Sequence, residues 1–255
     1  MARLNSGVKL LKEFSVAGSK KFRDKLCVYC RDKTSTTADH VFPREFFQIS
    51  ERDLLPKVPS CSECNNKKSQ IEHYLTTVLP FGATHPNAEK ALSIDAAKRL
   101  SKNRKLHKKL QSTFSHKLIN DSNEGMRNAP TISIEPEKVH DFCAYVGLGL
   151  LWHHWKIYLP LNYSYRAFTP SQHGLEFIDS LFNLTTNFRV HEKLGDETIQ
   201  YKGIASEIDD CLSVWAIQLL GGITVADNEL GSVFKNSFVA VITGSEEHLE
   251  KLELV

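Results

Sequence analysis

The chain has 255 residues, 41% of them hydrophobic and 24% charged, which is enough apolar material for one generous domain or two small ones and excludes disorder throughout. Its most apolar stretch, Phe142 to Trp152, is too short to cross a bilayer, so no membrane partner is expected. The net charge of +2 hides a division: residues 1–130 carry 24 Lys and Arg against 13 Asp and Glu, net +11, and residues 131–255 carry 8 against 17, net −9. Such asymmetry suits a first half that meets a polyanion and a second half with another task.

In chain order, MARLNSGVKLLKEF has no apolar run resembling an export leader, which points to a cytoplasmic protein. Leu10, Leu11 and Phe14 fall at roughly helical spacing, giving a leading helix or arm over residues 1–20. The cysteine-bearing segment, 21–82, finishes in a helix, because Ile71, Tyr74, Leu75 and Val78 recur on one face before Pro80 stops it. From Asn87 to Ile119, leucines interleave with positive charge, predicting a helix with a basic face that carries Arg104, Lys105, Lys108 and Lys109 toward nucleic acid. NDSNEGMRNAP, residues 120–130, is the best linker candidate and closes a basic segment over 83–130. Beyond it, EKVHDFCAYVGLGLLWHHWKIYLP predicts a largely buried helix in spite of Gly147 and Gly149. ETIQYKGIA, LSVWAIQLL, GITVAD and SFVAVITG predict strands, with Gly221-Gly222 as a turn, so residues 131–255 form a C-terminal α+β domain.

Cys27 and Cys30, then thirty residues, then Cys61 and Cys64 make two CxxC pairs. Four thiolates in that pattern close a tetrahedral zinc site with no open position, which is structural chemistry. Redox chemistry would need a thioredoxin-like frame around a single pair, and none is present. Cys143 and Cys211 lie among apolar residues and are expected to be reduced core residues.

Between the pairs stands ADHVFP, and the last pair runs on as CSECNNKKS. Together these stretches resemble the HNH endonuclease family, whose ββα-metal core is often braced by a four-cysteine zinc. They are also similar to the nuclease domain of the RNA-guided CRISPR enzyme, where D-H-x-x-P and K-N-x-x-K-S stretches occupy corresponding places. The resemblance covers residues 25–76. It implies an α+β fold in which a zinc-braced ββα-metal core precedes the basic segment and the C-terminal domain. It further implies that Asp39 and the side-chain oxygen of Asn65 hold a catalytic Mg²⁺ or Mn²⁺, and that His40 is the general base that deprotonates the attacking water. The chain departs from the family pattern at Pro56, where many members carry an asparagine that steadies the loop facing the base; Asp53 is a candidate to serve from an altered loop, with no assigned place.

Lys67 and Lys68 follow Asn65 within a turn of the helix start, where free N–H groups favour an anion, and are candidate phosphate grips; the alternative is solvated lysines on an exposed face. His73 reads as a surface residue, or as a further metal ligand like the helix histidines of some relatives. His153 and His154, flanked by Trp152 and Trp155, read as interior packing. The resulting expectation is a DNA endonuclease, with RNA as the other possible substrate, similar to bacterial restriction or phage-defence effectors. The alternative is a catalytically inactive, zinc-stabilised nucleic-acid-binding protein. A regulatory protein partner on the acidic half is compatible with both.

Overall fold

The computed structural model describes residues 20–83, 85–121, 125–184, 186–226 and 233–252, so the expected leading helix over 1–20 lies almost wholly outside the described residues. Strand β1 (Thr37–His40) pairs antiparallel with β2 (Lys57–Ser60), and helix α1 (Ser62–Val78) follows at once. Cys61 is the N-cap of α1, its Sγ accepting from the Cys64 amide at 3.5 Å. Tyr74, Leu75 and Val78 bury the expected face. At the other end the Arg99 guanidinium donates to the Thr76 carbonyl at 2.8 Å, satisfying a terminal acceptor where a cation is also favoured by the helix dipole.

The basic segment departs from a single helix. It runs through α2 (Pro86–Lys90), a π-helical stretch (Ala91–Ala96), α3 (Ala97–Lys102) and α4 (Arg104–Thr113). Asn103 interrupts it, because its backbone leaves the helical region (φ −109°, ψ 75°) and its side chain caps α4 at the Leu106 amide, 3.0 Å away. Residues expected to end that helix and begin a linker instead form β3 (Ser115–Asp121) and β4 (Gly125–Thr131), an antiparallel hairpin. The run that read as a linker, 120–130, thus supplies the end of β3 and most of β4, and residues 122–124 lie outside the described residues.

The buried helix is α5 (Pro136–Trp155), with Pro136 at its first turn and Lys156 closing it in the left-handed region (φ 59°). Then come β5 (Tyr163–Phe168), α6 (Gln172–Phe182), β6 (Arg189–Leu194), β7 (Ile199–Ala205), β8 (Ser213–Leu219), β9 (Ile223–Ala226), β10 (Val233–Ser237), β11 (Val239–Ser245) and α7 (Glu246–Leu252). Five strands form one antiparallel sheet in the order β5-β11-β8-β7-β6; GITVAD gives β9, which pairs with β10 outside that sheet. Gly221 and Gly222 turn the chain with φ of 70° and 109°.

Strand alternation gives the sheet two buried faces. Trp215, Ile217, Leu219, Val239 and Val241 face α5, whereas Ile204, Val214, Ala240 and Ile242 join Ile178 and Leu249 from the opposite side. The α5 side is continuous with the cysteine-bearing region, for Phe42 stacks on Tyr201 at 5.7 Å and Phe46 meets Phe142 edge-on at 6.5 Å. Residues 21–82 and 131–255 therefore share one core. The two glycines of α5 explain how: a Cβ on Gly147 would lie 2.6 Å from Val241 Cγ1, and one on Gly149 would lie 3.1 Å from Val41 Cγ2. The helix is sandwiched closely between β11 and the segment that follows β1.

Candidate metal centre and active site

The loop after residue 26 and the start of α1 bring four thiols together. The Sγ atoms of Cys27, Cys30, Cys61 and Cys64 all lie within 4.8 Å of one another, and Cys30 and Cys61 are 3.9 Å apart. A tetrahedron with sulfurs at about 2.3 Å from its centre has edges of about 3.8 Å, so the group can hold a metal ion such as zinc. Backbone amides support the thiolates: Lys33 donates to Cys30 Sγ at 3.4 Å and Cys64 to Cys61 Sγ at 3.5 Å. Burial alone would raise the Cys30 thiol, yet the amides of Lys33 and Asp32 together with the Cys27 and Cys64 thiols bring the group down to about 7. Burial, then the neighbouring Cys27 thiolate, pushes Cys64 up, a repulsion that a central cation reverses. Arg31 secures the first knuckle to the sheet, donating from one nitrogen to the carbonyls of Pro160 at 3.0 Å and Tyr163 at 2.9 Å.

Asp39 and His40 lie on opposite faces of β1. Thr37 and Asp39 face α1. There Asn65 Nδ2 donates to Thr37 Oγ1 at 3.2 Å, and its carbonyl oxygen has no partner among the described residues. Asp39 is 7% exposed; its Oδ2 accepts from the Tyr29 hydroxyl at 2.6 Å and lies 3.1 Å from Lys68 Nζ. Both contacts use one oxygen, so Oδ1 is the oxygen that could serve as a metal ligand.

Lys68 corrects the sequence reading. It is 0% exposed, donating to the His40 carbonyl at 2.7 Å and to Glu72 while pairing with Asp39. Neither a phosphate grip nor a solvated lysine describes it, because Asp39 and Glu72 lie on its own side of the helix and draw the ammonium inward. One ammonium between the buried Asp39 and the partly buried Glu72 is insufficient for both: desolvation, joined by the charge of Asp39, outweighs Lys68 and holds Glu72 up at about 7. Lys67 is exposed and pairs with Glu63 at 2.9 Å.

His40 is half-buried and carries a neutral imidazole. Burial first, then the charges of Lys57 and Arg44, press it down to about 4, so the ring is unprotonated at neutral pH. His73 is exposed. His154 bonds Tyr201 Oη at 3.0 Å and stacks on Trp215, whereas among the described residues His153 has a ring contact only with His154; both are half-buried. Cys143 and Cys211 are free and buried.

On α4, Leu106 and Leu110 turn inward while Arg104, Lys105, Lys108 and Lys109 are exposed; Lys109 pairs with Glu135 at 3.0 Å. Among the described residues no helix is long and apolar enough to cross a membrane.

No protein-family model matches the sequence, and no curated protein or solved structure matches it either. The chemistry of the site therefore stands on its own residues. Tyr29, which fixes Asp39, was hidden inside CVYC as one of two unremarked residues between ligands. Lys57 and Arg44 carried no motif, and only strand register and a short turn bring them to His40.

Proposed function

We propose that this chain is an HNH endonuclease, a metal-dependent hydrolase of phosphodiester bonds in DNA. The observation that carries the reading is the spatial order of three residues: Asp39 and His40 on β1 of an antiparallel pair, and Asn65 in the first turn of the helix packed over that strand. The four cysteines hold a structural zinc that fixes the start of α1 against the first knuckle. Asp39 Oδ1 and the Asn65 carbonyl are hard oxygen donors of the kind that Mg²⁺ or Mn²⁺ takes, and Tyr29 and Lys68 orient the carboxylate by its other oxygen. A bound divalent ion supplies Lewis-acid stabilisation of the charge that develops on the phosphate and the departing 3′ oxygen. His40, neutral between two cations, takes the proton of the attacking water. The exposed cations of α4 attract the nucleic-acid backbone. A restriction or phage-defence role is the setting this chemistry suits, with the acidic second half meeting a regulatory partner.

One observation favours the second reading, a zinc-stabilised DNA-binding protein without catalysis. Lys68 already neutralises part of the charge of Asp39, which lessens the pull of that carboxylate on a divalent ion. Plasmid nicking by zinc-loaded protein, with and without added Mg²⁺ or Mn²⁺, separates the two. Metal-dependent nicking that His40→Ala abolishes supports the nuclease; DNA binding with no nicking under any metal establishes the binding module.

A further inference from the structure

The face of the β1–β2 pair opposite α1 carries a convergence of cations. His40 stands directly across from Lys57 in the register, and residues opposite one another on antiparallel strands project to the same face with Cβ atoms about 5 Å apart. Arg44 follows His40 by four residues and is exposed on the short turn Arg44–Phe46. Lys57 and Arg44 are the two charges that act most strongly on the His40 ring. Among the described residues neither has an ion pair or a side-chain hydrogen bond. Their situation contrasts with Lys33 and Lys67, which share Glu63, with Lys109 and Lys138, which share Glu135, and with Lys193, which pairs with Glu197. Both charges disfavour a proton on the His40 ring, and an anion beside that ring would be attracted by both.

We propose that Lys57, Arg44 and His40 form a subsite for one phosphodiester group of a nucleic-acid backbone, with Lys57 and Arg44 gripping its non-bridging oxygens beside the His40 ring. Arg44 offers a planar fork that matches two phosphate oxygens, and Lys57 offers a point charge from the neighbouring strand. The inference deepens the nuclease reading and rests on it for which phosphate is held, but the grip itself is a matter of binding. It assigns to the strand pair a contact separate from the cations of α4.

The test is fluorescence anisotropy of a short labelled DNA duplex against zinc-loaded protein, without added divalent metal, over a range of salt concentrations. The double variant Lys57→Gln/Arg44→Gln is expected to bind more weakly to unrelated sequences alike, with the slope of log K against log salt reduced by about 1, the loss of one phosphate contact. Lys57→Arg/Arg44→Lys, which keeps both charges, should recover most of that slope. Lys193→Gln/Lys202→Gln, two exposed cations on β6 and β7, serves as the charge-matched control and should leave it unchanged. An unchanged slope in the first variant, or an equal fall in the control, overturns the subsite. If wild-type protein fails to nick DNA while the slope still falls by about 1, the subsite stands and the nuclease reading falls. If wild-type protein nicks and the double variant shows the same slope, kcat and KM, the nuclease reading stands and the subsite falls.

Discussion

Asp39 and His40 are bonded neighbours in different surroundings, because consecutive residues of β1 point to opposite faces. One is buried against Tyr29 and Lys68; the other is half-exposed beside Lys57 and Arg44. Their replacements should therefore fail differently. Under the proposed mechanism His40→Ala removes the proton acceptor and leaves the oxygen ligands, so nicking should fall by roughly 10² to 10⁴ with DNA binding retained, as read by plasmid relaxation and anisotropy together. Asp39→Ala removes a charged donor, so the metal concentration for half-maximal nicking should rise and high Mn²⁺ should restore part of the rate. Glu72 gives a stability prediction. Its folded carboxyl is raised to about 7 against an unfolded value near 4.5, so the native state holds this proton more firmly. The associated stability is fully present below about pH 4.5 and is lost as pH rises to about 7. Glu72→Gln should flatten that part of the pH dependence in urea unfolding; an identical profile in both proteins would contradict the assignment.

At the scale of elements, α5 shows why helix propensity was a poor guide. Gly147 and Gly149 each weaken an isolated helix by about 1 kcal/mol relative to alanine, yet both sit where a Cβ would strike a neighbouring valine. Gly147→Ala should therefore destabilise the protein, by about 1–3 kcal/mol, because overpacking against Val241 exceeds the gain in propensity. Chemical unfolding decides this, and a stabilised variant would mean that β11 yields easily. Helix α4 works the other way, its two buried leucines leaving a cationic outer face. Reversal of Arg104, Lys105, Lys108 and Lys109 to glutamate should weaken DNA binding for every sequence and lessen its salt dependence. Unchanged binding across salt concentrations would assign this face to a protein partner.

For the whole molecule, the shared core ties the four-cysteine group to the sheet. Phe22 packs on Trp152 at 6.1 Å, and Arg31 is bonded to the segment leading into β5, so the cysteine region is not a detachable module. About one zinc per chain is expected, since one four-thiol group closes one tetrahedral site. Chelation or Cys61→Ser should lower the melting temperature of the entire protein, because metal binding and folding are linked and the core is continuous. The measurement is near-ultraviolet circular dichroism of the buried Trp215 region alongside elemental analysis. Folded, pure protein with no zinc, or a sheet that melts unchanged after zinc loss, would separate the two parts.

The sequence by itself determined the features that spacing along the chain encodes. Two CxxC pairs specify four thiols in one place, the Ile71–Val78 pattern specifies the inner face of α1, and β-branched runs between turn residues specify β7, β8 and β11. Charge asymmetry likewise marks α4 as a cationic surface. Tertiary structure alone decided what depends on approach across the chain. Lys68 became an interior cation because helix geometry places it over Asp39 and beside Glu72, while its neighbour Lys67 remains in solvent. Lys57 reached His40 through strand register, and the two charge-opposed halves joined through a helix whose glycines read locally as defects. Local composition fixes which side chains can be buried or charged. Which partner meets a buried charge, and which surface meets a bare backbone, is set by contacts between residues far apart in sequence, where periodicity carries no signal.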